Sequence, residues 1–245
     1  MPRTSDPLTV RAPRSYFGHG QLRHLVMLTA ILPGALFLYR TGHEHGRWAG
    51  ESIGTWFALA LLLPVLHQVL VVLVWRGQLC FSVMTRLFGD AALAVWGALF
   101  LPLLVVRPFL ILAVGLADPR ETWLPREFNL ALALVCLGLA AWSLVSVARF
   151  FGIPRALGGD HFFERYRTMP MVRRWAFAYS SNAMYHFGFL GLWGAALLTH
   201  SPAALAAALF QHAYIWVHWY CTEQPDGVVL YGRSQDEDDG PAHRA

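Results

Sequence analysis

The sequence predicts an all-α fold, a polytopic membrane helical bundle of about six transmembrane helices that ends in a C-terminal helical hairpin. Three observations predict it. First, 56% of the 245 residues are hydrophobic and only 14% are charged, whereas soluble domains carry about 25% charged residues. Second, the apolar residues come in blocks of the ~20 residues that cross a bilayer as a helix. Third, the arginines, which make up all 19 basic residues, fall unevenly between the blocks, as the positive-inside bias of membrane proteins requires.

The elements follow in chain order. Residues 1–23 form an N-terminal segment carrying Arg3, Arg11, Arg14 and Arg23. The first span, 24–40, is retained, because no small-residue cleavage site follows in LFLYRTGHEHG. The second span, 53–75, holds His67 and Gln68 at mid-depth, where hydrogen-bonded core positions are expected. The third, 90–116, is long and interrupted by Pro102 and Pro108. Arg107 lies ~25 Å along it from Asp90, near the far boundary, where its side chain can snorkel. The fourth span covers 128–148. The fifth and sixth, 183–199 and 203–221, are joined by LLTHSPAAL, in which Ser201 is a good N-cap and Pro202 a good first helical residue. These two form a tight antiparallel hairpin. The chain divides into the N-terminal segment 1–23, transmembrane helices over 24–150, a C-terminal region over 151–232 and an acidic, disordered tail over 233–245.

Placing both termini in the cytoplasm puts 14 arginines on inner segments: 3, 11, 14, 23, 76, 86, 149, 155, 165, 167, 173, 174, 233 and 244. Only 4 are left outside, at 40, 47, 120 and 126. A multi-pass integral membrane protein with cytoplasmic termini is therefore expected. The net charge of +4 suits anionic lipid, and no nucleic-acid recognition motif is present. Cys80, Cys136 and Cys221 form no CxxC pair, and their odd number argues against a disulfide framework. The eleven histidines include no i, i+4 pair of the metal-binding kind, so no metal is expected. There is no GxSxG, P-loop or Rossmann fingerprint.

The hairpin concentrates the polar groups. At ~1.5 Å per residue its arms are equal in length, so Glu223 returns to the membrane face of Asn182. His212, Trp216, Trp219 and Glu223 form one stripe of the last helix; Tyr214, His218 and Thr222 form another. Gly188, Gly191 and Gly194 recur every three residues. They serve either close helix packing or a groove in which a ligand approaches the backbone. Glu223, framed by aromatic rings, suits a cationic ligand through charge and cation–π attraction; a solvated carboxylate at a helix end is the alternative.

Over about 75 residues the chain carries Gly159-Asp160-His161-Phe162, then Asn182-Ala183-Met184-Tyr185, Ser201-Pro202, Glu223-Gln224-Pro225 and Tyr231. In order and approximate spacing this stretch resembles the C-terminal half of the integral membrane phospholipid (phosphatidylethanolamine) N-methyltransferases, relatives of the isoprenylcysteine carboxyl methyltransferases. Ala183 stands where that family has proline, and Thr222-Glu223-Gln224 replaces its paired glutamates before proline. The R-H-P-x-Y pattern of the isoprenylcysteine branch is missing, which favours the lipid-amine branch.

The resemblance implies a methyltransferase that uses S-adenosylmethionine, bound between the last two spans and the preceding loop, and that acts on a membrane lipid such as phosphatidylethanolamine. It makes Glu223 an anchor of the donor, Asn182 and Tyr185 its orienting groups, Gly188 a point of close approach and His218 a further hydrogen-bond donor. Asp160, His161 or His186 would take the proton from the acceptor amine, and Arg165, Arg167, Arg173 and Arg174 would hold the lipid phosphate. Three rivals compete: transfer to another lipophilic carboxylate or thiol, a sterol-reductase-like enzyme using NADPH, and a non-enzymatic transporter or scaffold. The last predicts polar residues in several spans, whereas here they gather at one face.

Overall fold

A computed structural model of the chain describes residues 7–40 and 46–232. The expected acidic tail lies outside the described residues, as do His43 and His45. Helix α1 covers Gln21–Arg40, and a two-residue hairpin, β1 (Arg47–Trp48) with β2 (Glu51–Ser52), leads into α2, Ile53–Phe81. Then follow α3 (Val83–Phe88), α4 (Ala92–Ala117), α5 (Arg126–Ser146), α6 (Ile153–Ala156), α7 (Glu164–Arg167), α8 (Leu190–Leu198), α9 (Pro202–His218) and α10 (Gln224–Tyr231). Four helical stretches, 14–39, 53–81, 83–117 and 126–151, are long and apolar enough to cross a membrane. The other two of the six expected spans are the hairpin arms. The first is short and apolar, Met184–Leu198, and the second carries Gln211, His212 and His218. The fold is an all-α membrane bundle.

The α4 helix runs unbroken through both Pro102 and Pro108, because neighbouring helices can re-satisfy the freed carbonyls. Ser201 caps α9 as expected, accepting from the Ala204 amide at 3.0 Å, with Pro202 at the first position. The three cysteines are free and buried.

The last helix stands at the centre: α9 packs against α1, α2, α4 and α8. Inside a bilayer no hydrophobic force pulls helices together, so small residues that permit close approach drive their association. Accordingly Ala203, Ala204, Ala206, Ala207 and Ala208 are all buried. The glycine stripe serves packing too. Gly194 sits against Leu137 and Ala133 of α5, Gly191 against Ala140 and Gly188 against Ser143.

Polar ties reinforce this centre, among them Trp193 Nε1 of α8 donating to His212 Nδ1 of α9 at 2.9 Å. Arg107 donates to Gln211 Oε1 at 2.8 Å, and Gln211 donates to the Ala60 carbonyl at 2.9 Å, joining α4, α9 and α2. Arg107 therefore does not snorkel. It is buried with its guanidinium over the Phe189 ring, because Gln211 offers a partner at its own depth. A further tie is His24 Nε2 to Tyr214 Oη, 3.0 Å, between α1 and α9. His67 is buried edge-on to Phe100, but neither ring nitrogen has a hydrogen-bond partner among the described residues.

The connecting segments gather at two ends. At one, Asp118 accepts from Ser201 and the Ala203 amide, and the Thr122 amide donates to the His200 carbonyl. At the other, Arg76 meets Asp226 of α10 at 3.1 Å, both side chains fully buried. Arg76 also donates to the carbonyls of Tyr16, Phe17, His19 and Cys221. The N-terminal segment is thereby fastened across this end, where Thr9 also bonds Glu164 and Tyr16 bonds Asp226.

Removing one partner of a buried ion pair strands the other charge. Asp226→Ala is expected to cost about 3–5 kcal/mol, while the double replacement Arg76→Met with Asp226→Leu recovers most of it; thermal midpoints in detergent check both. Gly194→Val places a branched side chain where even a Cβ would lie 2.6 Å from Leu137 Cγ, and overpacking of this kind costs about 1–3 kcal/mol. Gly188→Ala, whose Cβ would meet Ser143 Oγ at 3.7 Å, is expected to leave the midpoint within measurement error.

Candidate active site

A cavity of about 290 Å³ lies at the Arg76–Asp226 end, near the lower bound of the ~300–1,000 Å³ typical of ligand pockets. It gathers six residues named from sequence, Asp160, His161, Arg167, Asn182, Tyr185 and Glu223. Trp75, Phe151, Arg155, Gly158, Met169, Met171 and Tyr231 complete the wall used below.

The turn bearing Asp160 and His161 depends on two glycines. Gly158 has φ +76°, and a Cβ there would overlap the Trp75 indole. A Cβ on Gly159 would lie 2.6 Å from the Pro154 carbonyl oxygen. The close approach lets Trp75 stack on His161, ring centroids 4.4 Å apart.

His161 lies between two carboxylates. Its Nδ1 is 3.0 Å from Asp160 Oδ1 and its Nε2 is 3.6 Å from Asp226 Oδ2. Burial alone would lower its pKa, but Asp160 and Asp226 reverse this and push it up to about 10. Both carboxylates thus favour the protonated imidazole at His161. Partial burial would raise Asp160, yet His161 and the Tyr231 hydroxyl at 2.6 Å hold it below the usual carboxylate range.

Glu223 is the opposite case. Burial pushes its carboxyl up to about 7, although the Tyr185 hydroxyl donates to it. Its position depends on a π turn, Trp219–Glu223, between α9 and α10. Residues five apart on an α-helix point ~140° away from each other. A π turn instead stacks residue i over i+5, and His218 Nε2 lies 3.5 Å from Glu223 Oε1. Glu223 therefore stands between the two stripes read from sequence. Tyr185 packs on Trp216 of the first, and His218 neighbours His24 and Trp75 on the second. Further π turns occur at Val147–Phe151 and Met184–Gly188, and each of the three contributes a cavity residue.

Not every candidate reaches the cavity. His186 is exposed, bonded to Ser180 Oγ at 3.0 Å and edge-on to Trp216. Gly188 faces Ser143 rather than the cavity. His218 is wholly buried behind Glu223. Arg165 lies over the Phe163 and Tyr166 rings, and Arg173 and Arg174 are exposed outside the cavity wall.

Sequence reasoning missed Asp226, Arg76, Trp75 and Arg155. Arg76 counted as a loop arginine because the second span was expected to stop at 75, whereas α2 continues to Phe81. Asp226, directly after Pro225, looked like an ordinary acidic residue in a first helical turn. A buried partner 150 positions away in sequence leaves no mark in local spacing.

Residues 128–234 match the family model described as phospholipid methyltransferase. Three similar curated proteins are each named phosphatidylethanolamine N-methyltransferase. That of Neurospora crassa is 31% identical over 124 residues, 51% of this chain and 12% of its own length. That of Sordaria macrospora is 34% identical over 110 residues, 44% and 11% of the two chains. That of Arthroderma otae is 28% identical over 171 residues, 68% and 15%. The chain thus spans between 11% and 15% of the length of these relatives. No solved structure matches it. The matched residues contain every cavity residue discussed above except Trp75, and over them the chain is similar to the phospholipid methyltransferases.

Proposed function

We propose that the chain is an S-adenosylmethionine-dependent methyltransferase that methylates a membrane lipid amine such as phosphatidylethanolamine. The observation that carries this reading is Glu223, a half-buried carboxyl pushed up to about 7 that shares one cavity with Asn182 and Tyr185 in the family-matched region. The donor and the protonated acceptor are both cations, and this wall suits both. It sets the carboxyls of Glu223 and Asp160 beside aromatic rings, and a sulfonium or ammonium gains from each. S-adenosylmethionine supplies, when bound, an electrophilic methyl group.

The chain's residues do the rest. Asn182 and the Tyr185 hydroxyl orient the donor, and Tyr185 also fixes the Glu223 carboxylate. Glu223 takes a proton from the acceptor ammonium, leaving the nitrogen lone pair free to attack; a base with a pKa near the working pH is best suited to this. His218 supports Glu223 from behind. Asp160, kept ionised by His161, adds negative potential that draws the acceptor's ammonium inward. Trp75, Phe151 and Tyr185 keep the volume apolar and short of water.

Region 151–232 is then the methyl-transfer region and 24–150 its membrane scaffold, because all but one of the lining residues come from the former. The arginine bias puts the cavity end and both termini in the cytoplasm, on the side of a soluble donor. Arg165, Arg173 and Arg174 on this end meet anionic lipid headgroups.

Glu223→Gln and Asn182→Ala are each expected to weaken S-adenosylmethionine binding and abolish or strongly slow lipid methylation. Titration calorimetry and transfer of label into total lipid measure this; unchanged values in both variants would remove the site from the hairpin. The pH dependence follows from Glu223. Its ionised form binds a cation, so donor binding displaces a proton below about pH 7 and tightens as the pH rises. Between pH 6 and 8 the ionised fraction of a group with a pKa of about 7 grows about tenfold. Affinity should rise by about that factor in the native protein and stay level in Glu223→Gln.

A further inference from the structure

Three cations line the cavity, and two of them are committed. His161 is held by Asp160 and Asp226, and Arg167 by Glu164 at 2.8 Å. Arg155 is different. No carboxylate among the described residues pairs with it. Its guanidinium lies 4.6 Å over the Phe151 ring and donates one bond, to the Pro170 carbonyl at 3.1 Å. The ring and the carbonyl hold the guanidinium in place without neutralising it, which leaves donors for an anion that needs two-pronged binding.

The surroundings of Arg155 indicate where that anion comes from. Met169 and Met171 line the same cavity while 45% and 40% exposed, and Ile153, two residues before Arg155, is 45% exposed. Trp175, also 45% exposed, packs on Phe150 at the end of α5. Apolar side chains exposed around a cavity mouth in a membrane protein face acyl chains, and an exposed tryptophan marks headgroup depth. The same cavity holds the carboxyls of Asp160, near enough to Arg155 to feel its charge, and of Glu223. It therefore sets one guanidinium with donors to spare beside two carboxyl groups, the complement of a zwitterionic headgroup whose phosphodiester and ammonium lie a few atoms apart.

We propose that Arg155 is the anion anchor of this cavity: it takes the phosphodiester of a lipid headgroup entering past Met169 and Met171, and so brings the amine to Glu223. The inference rests on the methyl-transfer reading and narrows it, because it makes a phosphate next to the amine a requirement. Arg155 sets which amine is accepted, and lipid amines without phosphate are poor substrates.

The test has an activity arm and a binding arm, both with the full chain in detergent micelles. Native protein, Arg155→Met and Arg155→Lys are compared with phosphatidylethanolamine and with a phosphate-free long-chain amine as acceptors. Loss of charged hydrogen bonds predicts a KM for phosphatidylethanolamine raised roughly 10- to 100-fold in Arg155→Met, partial recovery in Arg155→Lys, and no change with the phosphate-free amine. The thermal midpoint and S-adenosylmethionine affinity should stay level. Weaker donor binding in Arg155→Met would assign Arg155 to the donor carboxylate and overturn the proposal, as would an unchanged KM ratio. In the binding arm, calorimetry with phosphoethanolamine should show binding that Arg155→Met abolishes. If no acceptor is methylated, the methyl-transfer reading fails while this arm still decides on the anchor; phosphoethanolamine binding that is equal in both proteins, or absent from both, would overturn it.

Discussion

Asp226 carries two buried cations at once, and the geometry of the cavity depends on it. One oxygen meets Arg76 and the Tyr16 hydroxyl, and the other faces His161. His161 then meets Asp160, and Asp160 meets Tyr231. The sequence of contacts alternates in sign, two cations against two carboxylates, so a set of charges that would each be prohibitive alone becomes tolerable together. Because its members come from the N-terminal segment, α2, the turn at 159–161 and α10, a pattern of charges fixes the relative placement of four separate pieces of chain. Packing of small residues, which serves the rest of the bundle, does not specify register so tightly.

This arrangement gives the two cavity carboxyls different characters. Asp160 belongs to the alternating set and stays ionised. Glu223 stands beside it with the Tyr185 phenol and the His218 imidazole for company, and burial pushes it up to about 7. The same chemical group is thereby held below its usual range in one position and pushed above it in the other, by neighbours alone.

Much of the bundle was legible in the sequence because membrane spans announce themselves by length and composition. Ser201 and Pro202 marked the start of α9 to the residue, and Asn182, Tyr185 and Glu223 were brought together on one cavity by the hairpin that the turn predicts. What was hidden has a common cause. The π turns at 147–151, 184–188 and 219–223 insert backbone that no hydrophobic period reveals, so stripes drawn at 3.6 residues per turn lose their phase near Glu223. His186 and Gly188 were drawn toward the site by proximity in sequence to Tyr185, yet the turn that contains them aims His186 at Trp216 and Gly188 at α5. Arg107 and Gln211 find each other across 104 positions, a pairing that neither residue's neighbourhood foretells.

The fastening of the N-terminal segment and α2 to α10 bears on how this region can travel between proteins. The family match begins at residue 128, but the stacking partner of His161 is at 75 and the counter-ion of Asp226 at 76. A stretch cut at the family boundary would leave a buried acid without its base and an imidazole without its platform. The matched segment is therefore not a portable cassette. Grafted onto a foreign set of helices, it would need an arginine and an indole supplied in register by the new host before its pocket could take shape.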